Sequence, residues 1–223
     1  MNYENAKKGI GQIFTAEILA LLSAIFMIIG AIITVVGTAT LIAGGLDGTE
    51  QAMGAGLAGG IFGVIMSVVG AIFSFIGFIM YIVGVGNAAK DEENFKKAMM
   101  FLVLALVCSL VSGLTTTVAS GVISVLLRAA GSVFDLISTI MVINGISALA
   151  NKVGKADVAQ KGQTTLKLIA IVLILSIVVS LISLIPAVAV GVIAGILSIV
   201  GLVLNIIKYF VYLSLLSNAK NML

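Results

Sequence analysis

Residues 98–150 read AMMFLVLALVCSLVSGLTTTVASGVISVLLRAAGSVFDLISTIMVINGISALA, an apolar run whose only charged residues are Arg128 and Asp135. As one α-helix it would be about 80 Å long, against a bilayer core of about 30 Å. It must fold back on itself. Thr115-Thr116-Thr117 and Ser120-Gly121 are the natural turn, which predicts helices over 98–116 and 121–150. The run is continuous rather than alternating, and a helix satisfies its own backbone in lipid, so helices are expected and not strands.

The same reading extends in both directions. Residues 168–216 are again too long for one crossing, and Pro186, which has no N–H to continue a helix, marks the fold-back. This predicts helices over 166–185 and 190–217. Upstream, apolar runs predict helices over 13–36 and 57–86, joined by a mild loop, Gly37–Ala55, that carries Asp47 and Glu50. The stretch from Ile18 to Val36 exceeds a signal-peptide core and is read as a retained first helix. The expectation is an all-α integral membrane protein with about six transmembrane helices, one membrane domain over residues 1–223.

Composition supports this class. The chain is 61% hydrophobic and 9% charged, far too apolar for a soluble domain to hide its surface from water. A net charge of +3 does not suggest nucleic acid. The single cysteine, Cys108, sits in an apolar run and cannot form an internal disulfide. There is no histidine to activate a serine, no metal-ligand spacing and no phosphate-binding loop. The pairs Gly59–Gly63 and Gly191–Gly195 fall in apolar helices and mean packing rather than nucleotide binding. Neither an enzymatic activity nor a cofactor is expected. The expected surroundings are lipid, with a second copy or another membrane protein as partner.

Lysines set the orientation. Lys7, Lys8, Lys90, Lys96, Lys97, Lys152, Lys155, Lys161, Lys167 and Lys220 all fall on one side of this helix arrangement. The opposite connections hold Asp47 and Glu50, with Arg128 the only basic residue near them. The positive-inside rule then places both termini in the cytoplasm. A bacterial or archaeal plasma membrane is the expected location. Asp91-Glu92-Glu93, with Lys96 and Lys97, reads as a solvated loop with i, i+4 pairing.

The chain also reads as three copies of one helical hairpin, over 1–90, 91–155 and 156–223. Gly60, Gly121 and Gly191 correspond, as do Gly70, Gly131 and Gly201, and Phe73 matches Phe134. The second helix of the first copy carries Gly56, Gly63, Gly70, Gly77 and Gly84 at a strict spacing of seven. The second copy has Ser124, Gly131, Ser138 and Gly145 there, and the third Ala194, Gly201 and Lys208. Sevenfold small residues form one seam and favour close, left-handed packing.

Polar residues inside apolar runs are costly and therefore informative. Glu17 and Lys208 fall at similar depths; either they pair, joining the first and last helices, or Glu17 reaches the interface and Lys208 snorkels to it. Asp135 falls near mid-membrane, and its counterparts in the other copies are Ser74 and Asn205. Arg128 lies seven residues before Asp135 on the same helix face. Two functions follow as expectations. One is a structural or accessory subunit that packs through its glycine seams. The other is a small permease, channel or substrate-binding component whose cavity these polar residues line.

Overall fold

The computed structural model describes residues 3–47, 50–115, 121–182 and 188–223. They form six helices: α1 (Glu4–Asp47), α2 (Glu50–Ala88), α3 (Glu93–Thr115), α4 (Gly121–Lys152), α5 (Ala156–Ile182) and α6 (Val188–Met222). Among the described residues there is no strand. Each helix is long and apolar enough to cross a membrane. α3 ends at Thr115 and α4 begins at Gly121; α5 ends at Ile182 and α6 begins at Val188. The turns themselves, at 116–120 and at 183–187 with Pro186, lie outside the described residues. The expected repeat limits fall in the connections between α2 and α3 and between α4 and α5.

The helices outrun the apolar segments. The Gly37–Ala55 stretch, read as a loop, is helical to Asp47 and again from Glu50. The charged stretch from Asn151 to Lys167 shrinks to a turn at 153–155, so Lys161 and Lys167 ride on α5. Hydropathy marks what lipid covers, whereas backbone hydrogen bonding continues for as long as helix-compatible residues follow. α1, with 44 residues, is about 66 Å long and exceeds any single crossing. The α4–α5 turn closes where Gly154 adopts φ 73°. Lys155 N–H then donates to Ala150 O at 2.8 Å, the six-to-one bond of a Schellman ending that only glycine accommodates without strain.

The chain divides into two compact units, Met1–Phe14 with Ile82–Leu223, and Thr15–Tyr81. In the first, α3 packs along α4, α4 along α5, and α5 along α6. Its core lies at the lysine-rich end. Ile10 and Ile13 of α1, Val85 of α2, Phe95 of α3, Ile143, Ile146 and Leu149 of α4, and Leu215 and Leu216 of α6 are all fully buried there. Away from that end, large apolar residues such as Leu110, Leu126 and Ile199 are exposed. In the second unit Val35, Val36 and Phe75 are exposed as well. Apolar exteriors of this extent suit lipid and not water.

Candidate functional site

The α1–α2 pair is held by two facing rows of small residues. On α2 the row is Gly56, Gly63, Gly70, Gly77 and Gly84, all buried. On α1 the answering row is Gly9, Ala16, Ser23, Gly30, Gly37 and Gly44, also all buried and also seven apart. Within the second unit, a Cβ on Gly56 would stand 2.6 Å from Leu41 N. One on Gly63 would meet the Thr34 hydroxyl and sit 2.7 Å from Gly30 O. One on Gly70 would sit 3.0 Å from Ser23 O, and one on Gly77 3.1 Å from Ala16 O. Within the first unit, one on Gly84 would sit 2.8 Å from Gly9 O. The backbones are in contact, the arrangement that dispersion favours when lipid is as apolar as the side chains.

α3 and α4 use the same device with different residues. Ala98, Ala105 and Ser112 form a buried row on α3 at a spacing of seven, opposite Ser138, Gly131 and Ser124 of α4. Ser138 Oγ donates to Ala98 O at 3.0 Å, and Ser112 Oγ donates to Ser124 O at 2.9 Å. A Cβ on Gly131 would find Ala105 O at 3.4 Å, an ordinary contact. Gly145 differs, because a Cβ there would enter the Phe95 ring at 2.7 Å. In both of these hairpins a phenylalanine of the second helix meets one from the first: Phe73 with Phe26 at 5.6 Å and Phe134 with Phe101 at 6.2 Å between centroids. The device fades in the third hairpin. There α5 buries Val158, Thr165 and Val172, and a Cβ on Gly201 would meet only Leu175, at 3.7 Å.

At the lysine-rich end of the first unit, polar groups tie the helix ends together. Asp91 Oδ2 accepts from Ala6 N–H at 2.7 Å, capping one of the free N–H groups that open α1, and its Oδ1 accepts from the Asn5 side-chain Nδ2 at 3.1 Å. Asn87 Nδ2 donates to Gln12 Oε1 at 2.8 Å. Glu92 is only 7% exposed; it accepts from Asn94 Nδ2 at 3.0 Å and from Lys152 Nζ at the end of α4. Lys220 Nζ lies 5.3 Å from the centre of the Phe14 ring, within cation–π range. The solvated-loop reading of 91–93 therefore needs correcting. Glu93 does pair with Lys97 at 3.0 Å, but Asp91 and Glu92 are turned inward, because a helix N-terminus and an ammonium await them there.

The polar residues of the apolar spans are distributed differently from one another. Asp135 and Arg128 are both exposed on α4. The Asp135 side chain has no hydrogen-bond or ion-pair partner among the described residues; only its backbone carbonyl is engaged, by Thr139 Oγ1 at 3.1 Å. On α6, Lys208 Nζ donates to Asn205 Oδ1 at 2.9 Å and Asn205 Nδ2 donates to Gly201 O at 3.0 Å. Lys208 is thus engaged within its own helix. Glu17 is half-buried in the second unit and Ser74 is exposed there. Among the described residues, grooves open to the exterior. One, of about 400 Å³, lies between α1 and α2 beside Thr38, Gly56 and Gly60. Another, of about 470 Å³, lies between α2 and α3 beside Gly86 and Lys96. Neither is lined by Ser74, Asp135 or Asn205. Among the described residues no three His, Cys, Asp or Glu side chains converge as a metal site would require.

No family model, no curated protein and no solved structure matches the chain.

Proposed function

We propose that this chain is a membrane-embedded accessory subunit, a helical scaffold that docks another membrane protein or a second copy of itself. In this reading both termini and the lysine-rich end face the cytoplasm, in the plasma membrane of a bacterium or archaeon, and the three hairpins are repeats of one ancestral unit. The seven-residue rows shared by the first two hairpins support the repeat. The observation that carries the function is Asp135, an exposed carboxylate within a membrane-capable span with no partner among the described residues. A charge facing lipid is strongly disfavoured. A neighbouring helix that offers a basic or hydrogen-bonding group removes that cost and gains specificity. Arg128, exposed on the same helix seven residues earlier, gives the face a second polar contact of opposite sign.

The test is a photo-crosslinking amino acid at Ser132, which is exposed one turn from Asp135. Crosslinking is carried out in native membranes with Asp135 intact and with Asp135→Leu. A protein adduct that Asp135→Leu abolishes supports docking. Lipid adducts alone, unchanged by the substitution, count against it.

The second reading is a permease or channel, and the polar pair Asn205–Lys208 is what favours it. Here Asp135, Asn205, Lys208, Glu17 and Ser74 would line a hydrated path, with Glu17 and Lys208 as an ion pair. Transport would then depend on the charge of Lys208 and Glu17, so Lys208→Met and Glu17→Gln would each abolish flux while leaving expression intact.

A further inference from the structure

The groove between α2 and α3 has a chemical polarity that the function proposed above does not use. Its walls are Gly86 of α2, Ala89 in the turn that follows it, and Met99, Met100, Val103 and Leu104 from α3, with Lys96 among them. On α3 these residues recur at helical spacing, so Lys96 stands at the start of a stripe that runs about 12 Å along the helix. Lys96 lies in the first turn of the membrane-capable span, at the lysine-rich end. Its neighbour Glu93 is engaged by Lys97 at 3.0 Å, and Lys96 has no ion-pair partner of its own among the described residues. Gly86 supplies the depth, since a Cβ there would meet nothing within 4 Å. Its lack of a side chain has no packing reason inside the chain. The methionines add a flexible, polarisable wall that adapts to an irregular apolar guest.

A cation at headgroup depth followed by an apolar trough is complementary to one kind of molecule. We infer that this groove is a binding site for an anionic glycerophospholipid, its phosphate on Lys96 and an acyl chain along Met99, Met100, Val103 and Leu104. The volume of about 470 Å³ lies within the range of small-molecule sites.

The full-length protein, purified in neutral detergent, is titrated with phosphatidylglycerol and separately with phosphatidylcholine, and bound lipid is counted by native mass spectrometry. The wild type is expected to retain phosphatidylglycerol over phosphatidylcholine. Lys96→Gln is expected to bind phosphatidylglycerol about fivefold more weakly, the worth of one basic residue at a membrane surface. Gly86→Leu, which fills the groove where space is open, is expected to lose the bound lipid. Lys155→Gln, at an exposed lysine outside the groove, is expected to match the wild type. The inference is overturned if phosphatidylcholine is retained equally. It is also overturned if Lys96→Gln and Gly86→Leu both bind as the wild type does, or if Lys155→Gln loses as much as Lys96→Gln. Displacement of the lipid by millimolar glycerol phosphate would equally sink it, since the headgroup alone would then account for binding.

Discussion

Gly37 and Gly56 face each other so closely that neither tolerates a side chain. A Cβ on Gly56 would stand 2.7 Å from Gly37 O, and one on Gly37 would stand 2.9 Å from Gly56 O. Backbone cannot retreat as a flexible side chain can, so the helices themselves must separate. Gly56→Ala is expected to cost about 1–3 kcal/mol of stability. Gly60→Ala, one turn along the same helix where a Cβ meets nothing within 4 Å, is expected to be neutral or slightly stabilising. Unfolding of both variants in mixed detergent micelles measures the difference. Equal effects would mean that the seam does not hold α1 to α2.

The second hairpin gives a graded version of the same experiment. Gly131→Ala meets only ordinary contacts, the nearest at 3.4 Å, and should be tolerated, whereas Gly145→Ala runs into the Phe95 ring at 2.7 Å. Gly145→Ala should therefore be the more destabilising, and Phe95→Leu in the same chain should recover part of the loss by opening space. Thermal denaturation of the two single variants and the double variant reads this directly. A destabilised Gly131→Ala with an unaffected Gly145→Ala would contradict the packing described.

Glu92 and Lys152 tie the α2–α3 connection to the end of α4. The carboxylate side chain is 6% exposed and the lysine side chain 49%. Half-exposure of the lysine discounts the Coulombic attraction, so the pair is expected to contribute about 1 kcal/mol. Lys152→Met should cost more than Glu92→Leu, because it leaves the buried Glu92 carboxylate with only Asn94 as a partner, whereas the half-exposed Lys152 left by Glu92→Leu turns to water. A double-mutant cycle on melting temperature, repeated at high salt, checks this. Coupling that is absent at both ionic strengths would show that the contact is incidental.

Much of the helical architecture was legible in the sequence because lipid imposes a simple rule. Runs such as 98–150 exceed one crossing, and threonine, glycine and proline offer the only breaks. The ends of the helices were less legible. Residues 41–47, LIAGGLD, bring two glycines and an aspartate without interrupting the helix, since nothing in them prevents the backbone bonds from continuing. The α2 glycine row was visible as a strict period. The matching row on α1 was not, because Ala16 and Ser23 interrupt the glycines and only the fold shows that all are buried. The inward turn of Asp91 and Glu92 could not be read from the charge run. It depends on the start of α1 and the end of α4, both distant in sequence. Asp135 stood out at once, since a carboxylate in an apolar run is rare, but the sequence could not say whether it faced a cavity or the exterior.

The most direct test of a closed scaffold is the accessibility of single cysteines in the intact membrane. Cys108 is replaced, and cysteines are placed in turn at Ser74, Asp135, Asn205 and Lys208, with Lys90 and Lys155 as controls at the lysine-rich end. A water-soluble thiol reagent is applied from each side. The account predicts that both controls label from the cytoplasmic side only and that all four positions within the spans stay protected. Rapid labelling at Asp135 and Asn205 would contradict it, since a hydrated path would then run where a sealed, partner-docking surface is proposed.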